Sequence, residues 1–236
     1  MVRILSLETS TTVCSVAIHE NETLLAGAEI HLEHSPASKL AQLVDDVSKL
    51  AGIELRKLSA VAVSSGPGSY TGLRIGTSTA KGICYALSVP LIAIDTLSLL
   101  TEQMNKVNVM KALLCPMIDA RRMEVYCSVS DFNGKRIHPI EAKIIDEKSF
   151  EELLDGNRII FFGNGSEKCQ SVITHSNAVF VSGITPSAAE MGVMAYKKYK
   201  SNDTADLGGF EPLYLKEFKV KKPANLLDAS NKIEGE

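Results

Sequence analysis

The sequence predicts an α/β protein made of two units that share one order of elements, β-β-β-α-β-α. Two observations predict it. Short apolar runs typical of strands are interleaved with amphipathic helical patterns, as in α/β proteins. The order of these runs in the first half of the chain returns in the second half, from about Val109, although no residue-by-residue repeat links the halves.

The first unit opens with three strand-like runs separated by two polar turns, which predicts an antiparallel meander. A helix follows, because apolar residues from Leu40 to Leu50 fall on one stripe and Pro36 suits a first helical turn. The predicted elements of this unit are strands 2–8, 13–19 and 22–32, helix 36–51, strand 60–64, helix 71–87, strand 90–94 and a helix from about 96.

The second unit has the same order and is followed by a returning helix that begins with a Ser-x-x-Glu pattern at Ser187 and Glu190. Its predicted elements are strands 111–118, 123–131 and 136–145, helix 147–154, strand 158–162, a helix from 166, strand 178–181 and the returning helix 186–199. We therefore expect an N-terminal lobe over 1–103, a smaller C-terminal lobe over 104–185, a helix and return segment over 186–220 that pack back on the N-terminal lobe, and a flexible tail over 221–236.

Composition restricts the class of protein. Of the 236 residues, 45% are apolar and 22% are charged, which is typical of a chain with a packed core. The net charge of −3 argues against broad electrostatic capture of nucleic acid. The five cysteines form no C-x-x-C pair, which favours free thiols in a reducing compartment. With no signal peptide and no apolar run long enough to span a membrane, we expect a cytoplasmic protein.

A glycine-rich run, SSGPGSYTGLRIG over residues 64–76, follows a predicted strand and opens a predicted helix. Such a strand–turn–helix presents backbone N–H groups at a helix N-terminus, where an anion can bind, and its glycines permit close backbone approach. The lysine of a Walker loop is missing, because Leu73 and Arg74 follow Gly72. The run is therefore not an ordinary nucleotide-binding loop.

A β-β-β-α-β-α unit used twice is the layout of the two-lobed actin–hexokinase-like fold. In that fold the first hairpin carries an acidic residue and a glycine-containing turn that cradles phosphate. The matching stretch here, ETSTT over residues 8–12, keeps the acid and hydroxyls but lacks the glycines. Two interpretations stay open: a polar turn in which neighbouring N–H groups satisfy Glu8, or a vestigial ligand site. The residues of the second interpretation are Glu8, Ser10, Thr11, Gly66, Gly68 and Arg121.

Five segments together resemble the TsaB (YeaZ) family: residues 8–11, 64–76, 80–82, 119–126 and 211–215. The resemblance runs from residue 1 to about 217, and the glycine-rich motif is shared in part with catalytic TsaD subunits. It implies a non-catalytic dimerisation and scaffold subunit in the synthesis of threonylcarbamoyladenosine beside the tRNA anticodon. The implied partners are a TsaD-type catalytic subunit, a TsaE-type ATPase and, for the chain alone, a second copy. The tRNA would be contacted at most indirectly.

The resemblance also implies that no metal is bound. TsaD-type proteins carry two ligand histidines where this chain has Thr96 and Leu100, and neither residue can replace them. His31, Glu33 and His34 form another cluster, which we interpret as surface or helix-entry residues rather than a metal site. We expect no catalytic residue, no metal and no tightly bound cofactor, with ATP only at a lobe or complex interface. The alternatives are a stand-alone metallopeptidase or acyltransferase, or a small-molecule kinase.

Three further motifs each have two interpretations. Asp119 with Arg121 and Arg122 forms either a phosphate site or a hairpin turn closed by an ion pair. The Gly-Asn-Gly run at 163–165 is either an ordinary strand–helix turn or a nucleoside site. The lysines at 216, 219, 221 and 222 form either a solvated tail or a weak tRNA contact.

Small residues recur every four positions on the helix after the glycine-rich turn, at Gly72, Gly76 and Ala80. A stripe of small residues lets another element approach closely. By resemblance, this helix and the one before it form the family's dimer interface, and the stripe equally suits packing on the protein's own sheet. The predicted interface residues are Leu40, Leu43, Val47, Gly72, Leu73, Gly76, Thr77 and Ala80.

Overall fold

The computed structural model describes residues 1–31 and 39–216, which form two five-stranded sheets. The N-terminal sheet contains β1 (Arg3–Glu8), β2 (Val13–Glu20), β3 (Thr23–His31), β4 (Ala60–Gly66) and β5 (Leu91–Asp95). The C-terminal sheet contains β6 (Leu113–Asp119), β7 (Glu124–Ser130), β8 (Arg136–Ile144), β9 (Ile159–Phe162) and β10 (Ala178–Val181). The strand orders are β3-β2-β1-β4-β5 and β8-β7-β6-β9-β10, so the second sheet repeats the topology of the first.

The helices follow the same duplicated order but are shorter in the second unit. They are α1 (Leu40–Ala51), α2 (Tyr70–Leu87), α3 (Thr96–Asn105), α4 (Glu151–Leu154) and α5 (Gly192–Lys200). The helix expected from residue 166 is wrong: only a 3-10 turn, Glu167–Cys169, forms, and the β-branched residues at 172–174 disfavour its continuation. Likewise Ser187 accepts a hydrogen bond from the N–H of Ala189 and starts a 3-10 turn, so the returning helix begins only at Gly192.

The N-terminal sheet is covered on both faces. Alternate side chains of its strands point to opposite sides, so Leu5 and Leu7 face α1 and α2, whereas Ile4 faces α3 and α5. The face towards α1 and α2 buries a larger apolar cluster that includes Val16, Val61, Val63 and Val47. Both helices of the predicted interface therefore lie side by side on one face of this sheet.

Helix α3 joins the two lobes because it contributes side chains to an apolar cluster of each. Its Leu99 packs with Ile92 and Ile94 of the N-terminal sheet. Its Leu97 and Leu100 pack in a second cluster with residues of β6 and β9. The guanidinium of Arg136 on β8 donates to Asp95 and to Ser98, at 2.8 Å each, across the same junction. The two lobes are consequently connected through a helix that packs against both of them, rather than through a polar linker.

The chain after α5 returns along the N-terminal lobe and reaches the C-terminal lobe. Ala205 pairs with Leu91 of β5, and the N–H of Leu213 donates to the carbonyl of Ser65 at 2.7 Å. The ammonium of Lys216 then donates to the carbonyl of Ala120 at 3.2 Å. This return segment, residues 205–216, therefore connects both lobes. The predicted flexible tail, 221–236, lies outside the described residues.

All five cysteines are buried and free. Burial raises the pKa of the Cys14, Cys84 and Cys169 thiols to about 11, so these groups are poor nucleophiles near neutral pH. Across residues 1–31 and 39–216, no helix has the length and apolar character needed to cross a bilayer.

Candidate functional site

Glu8 lies at the end of β1, fully buried, at the place where the sequence predicts either a polar turn or a ligand site. Its Oε1 accepts a hydrogen bond from the backbone N–H of Ser10 at 2.5 Å, and its Oε2 accepts one from the Ser64 hydroxyl. Burial raises the pKa of this carboxyl, and the hydrogen bonds from Ser10 and Ser64 oppose the shift. Both carboxylate oxygens are thus held by the protein itself.

The β1–β2 turn sits directly on the glycine-rich run. The N–H of Ser69 donates to the carbonyl of Ser10 at 2.6 Å, and the Thr9 hydroxyl donates to the carbonyl of Gly72 at 2.8 Å. A Cβ added at Gly68 would lie 2.3 Å from the Ser10 carbonyl oxygen, and one added at Gly72 would lie 2.0 Å from the Thr9 carbonyl oxygen. Only glycine at these positions allows the turn to approach so closely.

The N-terminus of α2 is consequently capped from within the chain. The Ser69 hydroxyl accepts from the N–H of Gly72 at 3.3 Å, and the N–H of Ser69 already donates to the hairpin turn. The place where the sequence predicts an anion is therefore filled by a backbone carbonyl of Ser10. This turn-on-helix contact, residues 8–10 with 64–76, is called the closed turn site below.

The structure corrects the predicted partner-facing stripe. All eight predicted interface residues are buried within the chain: Leu40, Leu43, Val47, Gly72, Leu73, Gly76, Thr77 and Ala80. A Cβ at Gly76 would lie 2.2 Å from the Thr9 hydroxyl oxygen. The small residues therefore seat the protein's own hairpin turn, and these side chains are not available to a partner.

A different face of the same helix pair is exposed. It carries Tyr85, which is 82% exposed, and Leu50, which is 73% exposed. We call it the outer helix face; its exposed residues are Ala41, Gln42, Asp45, Asp46, Lys49 and Leu50 of α1 and Thr71, Arg74, Ser78, Gly82, Tyr85 and Ala86 of α2. The sequence analysis missed this set. The one sequence signal for it was the position of these residues on α2, opposite the Gly72–Gly76–Ala80 stripe.

The residues at which the sequence predicts no metal have the following surroundings. Thr96 and Leu100 are both fully buried on α3. His31 is exposed and lies 3.3 Å from the Glu29 carboxylate, and residues 33 and 34 lie outside the described part of the chain. Within the residues that the structure describes, no three His, Cys, Asp or Glu side chains come together as a metal-binding group.

Two motifs meet at the carboxyl end of β6. Asp119 pairs with the Lys168 ammonium, and its backbone N–H donates to the side-chain oxygen of Asn164 at 3.1 Å. A Cβ at Gly165 would lie 2.8 Å from the Asp119 nitrogen. The Gly-Asn-Gly turn thus packs on the end of β6, whereas Arg121 is exposed on the following turn and is not part of the closed turn site around Glu8.

Comparison with known proteins places the chain in a family. The family model described as TsaD: tRNA N6-adenosine threonylcarbamoyltransferase matches residues 31–217. The chain belongs to this family. Within it, the chain is similar to the tRNA threonylcarbamoyladenosine biosynthesis protein TsaB of Escherichia coli (strain K12), with 29% identity over 224 residues, 91% of this chain and 94% of that protein.

Two solved structures support the fold. A Pseudomonas aeruginosa protein described as similar to peptidase YeaZ superposes with a TM-score of 0.77 at 23% identity, covering 92% of this chain and all of that one. Component A of the Acidaminococcus fermentans (R)-2-hydroxyglutaryl-CoA dehydratase superposes with a TM-score of 0.51 at 9% identity, covering 85% and 100%. The predicted TsaB (YeaZ) resemblance and the predicted two-lobed actin–hexokinase-like fold are confirmed.

We predict that Gly72→Ala destabilises the protein by about 1–3 kcal/mol, because the new methyl group would overlap the Thr9 carbonyl oxygen. Gly82→Ala is the matched control on the same helix, since nothing lies within 4 Å of its Cβ position. The control should gain about 0.5–1 kcal/mol from helix propensity. Urea unfolding followed by circular dichroism measures both changes. Equal effects of the two substitutions would contradict the close approach.

We predict that Glu8→Gln stabilises the protein relative to wild type increasingly as pH rises from about 4.5 towards neutral. The folded state holds the Glu8 proton above the pH at which the unfolded state releases it, because burial raises the folded pKa. Wild-type stability therefore falls with rising pH through this window, and glutamine has no proton to lose. Urea unfolding at pH 5 and pH 8 measures the difference.

Glu8→Ala and Glu22→Gln are the controls for this pH dependence. Alanine leaves the N–H of Ser10 without its acceptor and leaves the Ser64 hydroxyl only the Leu7 carbonyl, at 3.4 Å, which should cost about 1–3 kcal/mol. Glu22 lies exposed on the β2–β3 turn, so its neutralisation should change stability little at either pH. A Glu8→Gln variant that is less stable than wild type by the same amount at both pH values would exclude a buried, proton-retaining carboxyl.

Proposed function

We propose that this protein is a non-catalytic subunit of the tRNA threonylcarbamoyladenosine synthesis complex and supports a TsaD-type catalytic subunit. Its family and its similarity to proteins named TsaB supply the process. The closed turn site is the observation that carries the non-catalytic role: a backbone carbonyl of Ser10 lies against the helix N-terminus that would otherwise receive phosphate. A site filled by the protein's own main chain favours a structural role over phosphoryl or acyl transfer.

The chemistry of the remaining groups supports the same proposal. The cysteine thiols are buried, and burial holds the pKa of Cys14, Cys84 and Cys169 near 11. Glu8, the buried acid of the hairpin, has both oxygens bonded to Ser10 and Ser64. We propose that no metal or tightly bound cofactor is needed, and that ATP binds only at a lobe or complex interface, in concert with a TsaE-type ATPase in the cytoplasm.

The outer helix face is the proposed surface for the TsaD-type subunit and, in its absence, for a second copy of this chain. It mixes exposed apolar side chains, Tyr85 and Leu50, with charges on both helices. Exposed apolar side chains among polar ones are common in interfaces, which bury about 800 Å² per partner. The uncovered Cβ position of Gly82 lets a partner helix approach α2 closely.

We predict that Ser78→Arg weakens association with the TsaD-type subunit at least ten-fold, because a long charged side chain would stand in the middle of the outer helix face. Ser78 is exposed, so the fold should be retained. Ser171→Arg, the same change at an exposed position of the C-terminal lobe, is the control. Calorimetric titration with the purified TsaD-type protein of the same organism gives the affinities. Wild-type affinity in both variants would place the interface elsewhere.

We predict that ATP with magnesium at about 1 mM leaves the melting temperature of the isolated chain unchanged within about 1 °C, because the N–H of Ser69 at the start of α2 already donates to the Ser10 carbonyl. Differential scanning fluorimetry measures the shift, with the assembled complex as a comparison. A shift of several degrees for the isolated chain would favour the kinase alternative.

A further inference from the structure

A cluster of exposed arginines and half-buried tyrosines lies where the return segment crosses from one lobe to the other. We call it the junction surface. Its members are Tyr70 and Arg74 of α2, Tyr214 and Lys216 of the return segment, Arg121 and Arg122 of the β6–β7 turn, and Tyr126 of β7. Tyr70 and Arg74 belong to the run 64–76, but the contacts described above for the closed turn site are made by other residues of that run.

The N-terminal half of the junction surface is an aromatic platform with a cation beside it. The rings of Tyr70 and Tyr214 lie 4.8 Å apart at 45°. The guanidinium of Arg74 lies 4.9 Å from the centre of the Tyr70 ring and is exposed. The Leu213–Ser65 backbone hydrogen bond, at 2.7 Å, holds Tyr214 in place. Two half-buried tyrosines next to an exposed guanidinium provide π-faces together with positive charge.

The C-terminal half adds two exposed arginines on the turn between β6 and β7. Arg121 and Arg122 both adopt left-handed conformations, with φ of 70° and 52°. Successive left-handed residues are typical of a tight hairpin turn, and both arginine side chains of this turn are exposed. Lys216 lies 5.9 Å from the centre of the Tyr126 ring, which continues the alternation of cations and aromatic rings.

The charges of this surface do not cancel. It holds four cations, and the acidic groups near them are Glu124, which pairs with Lys216, and Glu211. Asp119 is already paired with Lys168. Four cations against two carboxylates leave a local excess of positive charge on a chain whose formal net charge is −3. A local basic area on an acidic protein attracts an anionic partner to that area, although the protein as a whole is negatively charged.

We propose that the junction surface binds RNA directly, with phosphates at the arginines of the β6–β7 turn and at Arg74, and unpaired bases against the tyrosines. Alternating aromatic faces and cations are the pattern that recognises single-stranded nucleic acid, since every base can stack and every linkage carries a negative charge. The choice of tRNA as this RNA rests on the proposed function. The surface would then contact the tRNA itself, which the sequence analysis did not expect.

The test measures binding of fluorescein-labelled, unmodified tRNA to the full chain by fluorescence anisotropy, at about 50 mM salt and over a salt series. The variant is Arg121→Asn with Arg122→Asn, because asparagine removes the charge and tolerates the left-handed backbone. The control is Arg56→Gln with Lys57→Gln. Arg56 and Lys57 are exposed and precede β4, whereas the junction surface lies near the carboxyl end of β4. The control therefore removes two positive charges, as the variant does, but away from the junction surface.

We expect the double arginine variant to bind tRNA roughly ten-fold more weakly. The negative slope of log affinity against log salt should become shallower by about 1.4, as for two lost phosphate contacts on a single strand. The control should bind as wild type. Tyr214→Leu should weaken binding roughly five-fold without changing the slope, and Tyr214→Phe should not, because only leucine removes the stacking face.

Any of three results would overturn the proposal. The first is no tRNA binding by wild type at about 100 µM, and the second is equal weakening in the arginine variant and the control. The third is tighter binding to polyglutamate than to tRNA, which would indicate that the surface binds an acidic protein. Association with the TsaD-type subunit is measured on the same variants. Normal association with unchanged tRNA affinity refutes the junction surface alone. Arginine-dependent RNA binding without association refutes the proposed function and leaves the RNA-binding surface standing.

Discussion

The contact between the β1–β2 turn and the start of α2 is the constraint on which the N-terminal lobe depends. The Thr9 and Ser10 carbonyls occupy space that a Cβ at Gly72 or Gly68 would fill. Because β1 is the central strand, between β2 and β4, fixing its end against α2 also fixes the register of the sheet to the helix layer. This one backbone contact thereby fixes the positions of β1, β2 and Glu8 relative to α2.

The same contact separates the inner from the outer side of the helix pair. Since the small-residue stripe of α2 holds the hairpin turn, the helix turns its opposite face, with Tyr85, Ser78 and Gly82, to solvent. The approach of the hairpin turn to α2 buries one face of this helix and leaves the opposite face exposed. The closed site and the free surface thus have one physical origin, which is the close approach that glycine permits.

The two lobes are held together at two separate places. Helix α3 gives Leu99 to one core and Leu97 with Leu100 to the other, and the return segment ties Ser65 to Ala120 through Leu213 and Lys216. An apolar shared helix resists separation because opening it exposes apolar surface to water. The junction surface lies where the return segment makes these contacts with both lobes.

The sequence by itself determined the order of strands and helices along the chain, its duplication and the presence of a glycine-rich turn, because period-two and period-3.6 patterns and turn residues are local signals. It also located the glycine-rich run correctly on a strand–turn–helix. It could not say what the glycines approach, since a helical stripe at Gly72, Gly76 and Ala80 has the same spacing whether it faces a partner or the Thr9 turn. It likewise overestimated the helix after Ser166, where a 3-10 turn forms. Only the tertiary structure decided these points, because they depend on residues that are distant in sequence, such as Ser10 with Ser69 and Tyr214 with Tyr70, and on which side of each helix the sheet already occupies.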